Sequence, residues 1–149
     1  MKIIRFLLLA LSIVGAGMSV LSLHGHYATS ASEYCDLNET FNCDFVNRST
    51  YSAIHGVPVA LVGLLGYFAL FACSLRPSRK IAWLRFIAAS AGLVFALYLA
   101  YVEAYVLAVW CLLCIGSMAS IFGIALFSGI DLFQRRCLPA GAETAAGSA

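Results

Sequence analysis

Four long runs without a charged residue constrain this chain more than any other feature of its sequence. The runs cover residues 6–23, 56–75, 86–102 and 104–130. A helix needs roughly 20 apolar residues to cross a bilayer, and it must be a helix because lipid offers no partner for open backbone amides. The sequence therefore predicts an all-α integral membrane protein, a four-transmembrane-helix bundle with spans at about 5–23, 57–75, 82–103 and 108–131.

The composition indicates the same class and excludes others. Of the 149 residues, 62% are hydrophobic and only 11% are charged, whereas a soluble domain carries about 25% charged residues. A small domain cannot bury that much apolar surface in one core. The formal net charge is only +2, so the sequence gives no indication of nucleic-acid binding.

The basic residues predict the orientation. With a cytoplasmic N-terminus, eight of the nine Lys and Arg residues lie on the cytoplasmic side and only Arg48 lies outside, as the positive-inside rule requires. Five of the seven acidic residues then fall in outer segments. We therefore expect both termini in the cytoplasm, an outer loop over residues 24–56, one membrane domain over residues 1–138 and a disordered cytoplasmic tail over residues 139–149.

The six cysteines divide by compartment under this topology. Cys35 and Cys43 fall in the outer loop, and Cys111 and Cys114 fall at the outer end of the last span. That side is oxidising, and four cysteines allow three pairings. The other two fall on the reducing side and are expected to remain thiols.

The motif Cys111-Leu112-Leu113-Cys114 predicts redox chemistry. Its spacing puts both sulfurs on one face where a helix begins, and the first turn of a helix favours a thiolate. Cys114 lies one turn deeper and is the expected thiolate to meet an acceptor in the bilayer. The chain has no haem motif, Rossmann glycines or iron–sulfur spacing, so a quinone is the natural acceptor. Ser49 is a candidate hydrogen-bond donor to a quinone oxygen, although an ordinary helix cap explains it equally well.

Two other interpretations remain open for these residues. The Cys-x-x-Cys motif together with His24, His26 and His55 could bind zinc or copper, but the histidines lack a tight ligand spacing, and no metal site is predicted. The loop pair could also be a simple structural staple. Either interpretation would make this a non-enzymatic membrane protein.

The order and spacing of these motifs resemble the vitamin K epoxide reductase family. The matching elements are Cys35-x7-Cys43, Ser49 six residues later, the glycine-rich run 56–67, Tyr98-Leu-Ala-Tyr101 and Cys111-Leu-Leu-Cys114.

This resemblance implies a helix bundle around a quinone, capped by an exoplasmic loop and a short helix. It implies that Cys111 and Cys114 reduce the quinone, with Cys114 facing the ring. It also implies that Cys35 exchanges with a thioredoxin-like partner and that Cys43 passes the electrons to Cys111. Ser49 matches the Ser or Thr that hydrogen-bonds the quinone in the family.

Met118 stands where animal members carry a tyrosine, so the chain looks more similar to the bacterial homologues. There is also no clear match for the family's quinone-contacting asparagine near the second span. The resemblance then implies a thiol-disulfide oxidoreductase of the bacterial inner membrane. It would oxidise a separate exported thioredoxin-like or DsbA-like protein and use ubiquinone, menaquinone or phylloquinone. Reduction of a quinone or of vitamin K epoxide as the main purpose is the alternative. Asn47-Arg48-Ser49 also matches a glycosylation sequon.

Overall fold

The computed structural model describes residues 2–27, 40–76 and 78–137, and most of them are helical. The helices are α1 (Lys2–Tyr27), α2 (Cys43–Arg48), α3 (Val59–Leu75), α4 (Arg79–Val102) and α5 (Leu112–Cys137). A 3₁₀ helix, Thr50–Ser52, and a hairpin of strands β1 (Ala53–Ile54) and β2 (Val57–Pro58) connect α2 to α3.

Three helices are long and apolar enough to cross a membrane: α1, α4 with its extension to Leu107, and α5. Helix α3 is also apolar but has only 17 residues, which rise about 25 Å against a hydrocarbon core of about 30 Å. The predicted all-α membrane class is confirmed. The fourth span, expected at residues 57–75, stays a prediction.

The long helices pack as a bundle, with α1 against α3 and α5, and α4 against α5. Small residues let α1 approach α3 closely, as is common where membrane helices meet. A Cβ atom on Gly15 would lie 2.2 Å from the ring of Tyr67. That ring is held in place, because the Tyr67 hydroxyl donates to the Ser117 carbonyl oxygen at 2.7 Å. Tyr67 and Leu8 belong to the buried core.

The two ends of the bundle differ in charge. At one end, called the basic end here, Arg5 donates to the Ser74 carbonyl oxygen at 3.1 Å and ties the start of α1 to the end of α3. Arg85 is buried at this end, with a nitrogen 2.7 Å from the Asp131 carboxylate and its Nε donating to Ser128 at 3.1 Å. Buried charges need such partners, so this network joins α4 to α5.

The opposite end, called the cysteine end here, carries Cys43 and Cys111. Helix α2 and the hairpin cover it. Asn42 caps α2 by accepting a hydrogen bond from the Phe45 N–H at 2.8 Å. The hairpin turns at His55 and Gly56, which both have positive φ angles (51° and 83°), as the tightest hairpin turns require.

The connection between α4 and α5 contains a π-helical turn that the sequence does not signal. The third span was expected to end at 103 and the fourth to begin at 108, but the chain continues from α4 into a π-helical turn, Glu103–Leu107. It reverses at Ala108, whose φ angle is 52°. The N–H groups of Ala108 and Val109 both donate to the Glu103 carbonyl oxygen. This conformation costs a non-glycine residue about 1–2 kcal/mol. Because the residue at the reversal is an alanine and not a glycine, no local sequence signal marks it.

Candidate functional site

Two backbone hydrogen bonds place Cys43 beside Cys111. The segment before α2 runs parallel to the segment before α5: the Trp110 N–H donates to the Thr40 carbonyl oxygen at 2.8 Å, and the Asn42 N–H donates to the Trp110 carbonyl oxygen at 3.2 Å. The next residue of each segment is a cysteine. Cys43 and Cys111 are 1% and 0% exposed and pack into one apolar cluster with Val46.

The cysteines of the site differ in redox state. Cys43 is disulfide-bonded, whereas Cys111 and Cys114 are both free thiols. Cys35 lies outside the described residues. The expected relay therefore has three of its four cysteines within the described part of the chain, all at the cysteine end.

Cys111 immediately precedes α5, as the sequence predicted for the start of the last helix. A hydrogen bond from the Cys114 thiol lowers the pKa of the Cys111 thiol, and the backbone N–H groups of Leu113 and Cys114 add to this effect. The sequence pointed to Cys114 as the thiolate. That role of Cys114 stays a prediction, and the amides of the first turn, which point back at the residue that precedes the helix, also favour a thiolate at Cys111.

Glu103 lies beside this pair and is only 3% exposed. Its carboxylate accepts a hydrogen bond from the Cys111 N–H at 3.1 Å, and it is a second acceptor, besides the Cys111 sulfur, for the single proton of the Cys114 thiol. The π-helical turn that begins at Glu103 therefore brings a buried acid into contact with both redox cysteines. Turns of this kind occur frequently at functional sites.

A cavity of about 410 Å³ opens next to Cys114, within the range of small-molecule sites. Residues of α1, α3, α4 and α5 line it, and α2 and the 3₁₀ helix close it at the cysteine end. Cys114 and Glu103 are among its lining residues, and Cys111 is not. The two cysteines therefore have different surroundings: Cys111 shares an apolar cluster with Cys43, and Cys114 lines the cavity.

A polar cluster around Asn47 lines the mainly apolar cavity. Asn47 is 6% exposed, and its side-chain oxygen accepts a hydrogen bond from Ser22 at 2.7 Å. Its backbone carbonyl oxygen accepts from the His26 ring at 2.5 Å. The Asn47 side-chain nitrogen has no hydrogen-bond partner among the described residues. Buried polar atoms are nearly always paired, so Asn47, which lines the cavity, is a candidate hydrogen-bond donor to a ligand oxygen.

Ser49 also lines the cavity, but its hydroxyl is already used. It donates to the Val46 carbonyl oxygen at 2.7 Å. A hydroxyl has one proton to donate, so Asn47 is the better placed donor. A quinone combines an apolar ring with two acceptor oxygens, and the residues around this cavity fit such a group.

Sequence reasoning missed Asn47 and Glu103 as members of the site. Asn47 was noted only as part of a sequon, and its burial against Ser22 leaves no exposed amide for a glycan. Glu103 was taken to mark the interface between two spans, although an acid inside a membrane segment is itself a functional signal. No group of three or more metal-ligating side chains occurs among the described residues.

Comparison with known proteins agrees with this geometry. A family model described as the vitamin K epoxide reductase family matches residues 6–128, which is most of the chain. Members of this family are membrane oxidoreductases, and they are linked in general to quinones. A search of curated proteins finds no match. From the extent of the match, the chain belongs to the vitamin K epoxide reductase family.

Proposed function

We propose that this protein is a membrane thiol oxidase that supports disulfide bond formation. It takes two electrons and two protons from the dithiol of a separate exported thioredoxin-like or DsbA-like protein. They pass through Cys35 and Cys43 to Cys111 and Cys114, and from there to a quinone. We place the protein in a bacterial inner membrane with both termini in the cytoplasm.

One observation carries this proposal. Cys111 packs against Cys43 on one side, while its partner Cys114 lines the apolar cavity on the other. A dithiol that contacts a second cysteine pair through one sulfur and a quinone-sized cavity through the other is suited to connect the two. The separation of the basic end from the cysteine end supports the orientation.

The reaction follows from the residues in order. The partner dithiol reduces the Cys35–Cys43 disulfide, and Cys43 then attacks Cys111 and breaks the Cys111–Cys114 disulfide. Cys35 next attacks Cys43, which re-forms the Cys35–Cys43 disulfide and releases Cys111 as a thiol. Each exchange breaks one S–S bond and forms another, so two electrons arrive on Cys111 and Cys114. A bound quinone supplies a two-electron, two-proton acceptor.

The residues around the cavity then act on that acceptor. The Asn47 amide donates to one of its oxygens, and Cys114 stands at the cavity wall. When the pair is oxidised, the S–S bond between Cys111 and Cys114 re-forms, and both thiol protons leave with the two electrons. The apolar walls exclude water from this exchange.

The test is quinone reduction by the purified protein with dithiothreitol and a short-chain ubiquinone analogue. Cys114→Ala should abolish the reaction. Cys73→Ala is the matched control, because Cys73 is a free thiol of α3 that does not line the cavity, and it should leave the rate unchanged. A Cys114→Ala protein that reduced the quinone at the wild-type rate would refute the proposal.

A further inference from the structure

Cys114 presents a problem that the two cysteines cannot solve by themselves. Its S–H proton is shared between two acceptors, the Cys111 sulfur and the Glu103 carboxylate. Only a thiolate reacts efficiently. The sulfur at the cavity wall must therefore lose its proton before it can react, and a group within reach has to accept that proton.

Within the part of the chain that the structure describes, Glu103 is the acidic residue in contact with the Cys114 thiol. Its side chain accepts from the Cys114 thiol and from the Cys111 backbone N–H at 3.1 Å. It also lines the cavity, so it faces both the sulfur that gives up a proton and the space where the acceptor binds. The proposed relay of cysteines assigns no role to either the thiol contact or the cavity position of Glu103.

The fold holds this carboxylate in place by an uncommon route. If α4 continued as an ordinary α-helix, the side chains from Glu103 onward would point in other directions around the helix axis. Instead, the chain forms a π-helical turn from Glu103 and reverses at Ala108. Two backbone N–H groups bind the Glu103 carbonyl oxygen at that reversal. A strained turn that fixes one buried acid against a dithiol is consistent with a functional constraint.

We infer that Glu103 is a catalytic residue that carries the Cys114 proton to the quinone oxygen. This inference rests on the proposed function. The Glu103 carboxylate accepts the proton from the Cys114 S–H group, and the Cys114 sulfur becomes a thiolate. As the S–S bond forms and two electrons leave the pair, the Glu103 carboxyl returns that proton to one oxygen of the acceptor. The second oxygen receives the proton of Cys111, so two protons and two electrons are transferred in all.

Glu103→Gln tests this inference without removing the structural contact, because the amide oxygen still accepts from the Cys111 N–H. The variant cannot carry a proton, so single-turnover reduction of a ubiquinone analogue by the reduced protein should fall about 100-fold or more. The matched control is Asp44→Asn, which removes one charge from the cysteine end. Asp44 pairs with Arg48 at 3.9 Å, and its replacement should leave the rate near that of the wild type.

A second measurement separates proton transfer from a merely structural role. Alkylation of Cys114 by iodoacetamide in the reduced, quinone-free protein, followed by peptide mass spectrometry, reports how readily its thiolate forms. Removing the neighbouring carboxylate charge should accelerate this alkylation about tenfold. Glu103→Gln should therefore change the two rates in opposite directions. A merely damaged site would not change the two rates in opposite directions. Formation of a Cys43–Cys111 cross-link in the variant checks that the variant is folded.

The outcomes also separate this inference from the proposed function. If the wild-type dithiol does not reduce the quinone, the proposed function fails, whatever Glu103 does. If the wild type is active and Glu103→Gln is equally fast, or if Cys114 alkylation does not accelerate, the proton-carrying role of Glu103 is wrong and the relay of cysteines stands.

Discussion

Replacement of Asn47 by leucine tests the cavity most directly. Leucine has the same branching and number of side-chain heavy atoms as asparagine but no polar atom, and its methyl groups are bulkier than the amide. The change removes the hydrogen bond from Ser22, which is worth about 0.5–1.5 kcal/mol, and it also removes a buried nitrogen with no described partner. Ser22 lies within α1 and can donate to a carbonyl oxygen of its own helix. The free energy of unfolding without quinone should therefore stay within about 1 kcal/mol of the wild-type value.

Quinone affinity should fall in the same variant. The lost hydrogen bond from the Asn47 nitrogen to a quinone oxygen is worth about 0.5–1.5 kcal/mol, which corresponds to about a 2- to 12-fold increase in Kd. The assay is titration of a short-chain ubiquinone analogue in detergent. The thermal stabilisation by saturating quinone, which depends on ligand concentration relative to Kd, provides a second measurement.

Ser12→Ala is the control for losing a buried hydrogen bond away from the cavity, because Ser12 donates to the Leu8 carbonyl oxygen at 2.8 Å. It should change stability slightly and leave Kd unchanged. An Asn47→Leu protein with wild-type affinity would refute the assignment of this nitrogen as a ligand donor. A loss of more than about 3 kcal/mol of stability would show instead that Asn47 is mainly structural.

Two further predictions concern packing and pH. Gly15→Ala places a methyl group against the ring of Tyr67 and should destabilise the protein by about 1–3 kcal/mol, measured as a lower Tm in detergent; an unchanged Tm would contradict the close approach. The Cys114 thiol lowers the pKa of Cys111. The reverse exchange, in which Cys111 attacks the disulfide of Cys43, should therefore persist at lower pH in Cys114→Ser, which keeps a donor, than in Cys114→Ala. Gel analysis of the trapped Cys43–Cys111 disulfide across pH checks this, and coincident profiles would exclude the hydrogen bond as the cause.

The membrane class and the start of the last helix were accessible from the sequence because they depend on local properties. Charge-free runs of about 20 residues have few options in a bilayer. The position of Cys111 before α5 follows from one motif at one helix start. The family resemblance was equally accessible, since cysteine order and spacing are properties of the chain itself.

The boundaries around Glu103 were not accessible in this way. The chain passes from α4 into a π-helical turn and reverses at an alanine with a positive φ angle. Local propensity disfavours that conformation, so only the contacts of the assembled bundle select it. A prediction from apolar runs therefore treated Glu103 only as a boundary marker.

The sequence by itself determined that this protein is helical, belongs in a membrane and carries a Cys-x-x-Cys motif and a loop pair in the order of a relay. The family resemblance implied that Cys43 meets Cys111 and that Cys114 faces the ring, but only the tertiary structure shows how this is achieved and adds Asn47 and Glu103 to the site. Two backbone hydrogen bonds between segments about 70 residues apart set Cys43 against Cys111, leave Cys114 at the cavity and bring Asn47 and Glu103 to the same space. Such contacts depend on how distant segments pack, and spacing along the chain does not encode that information.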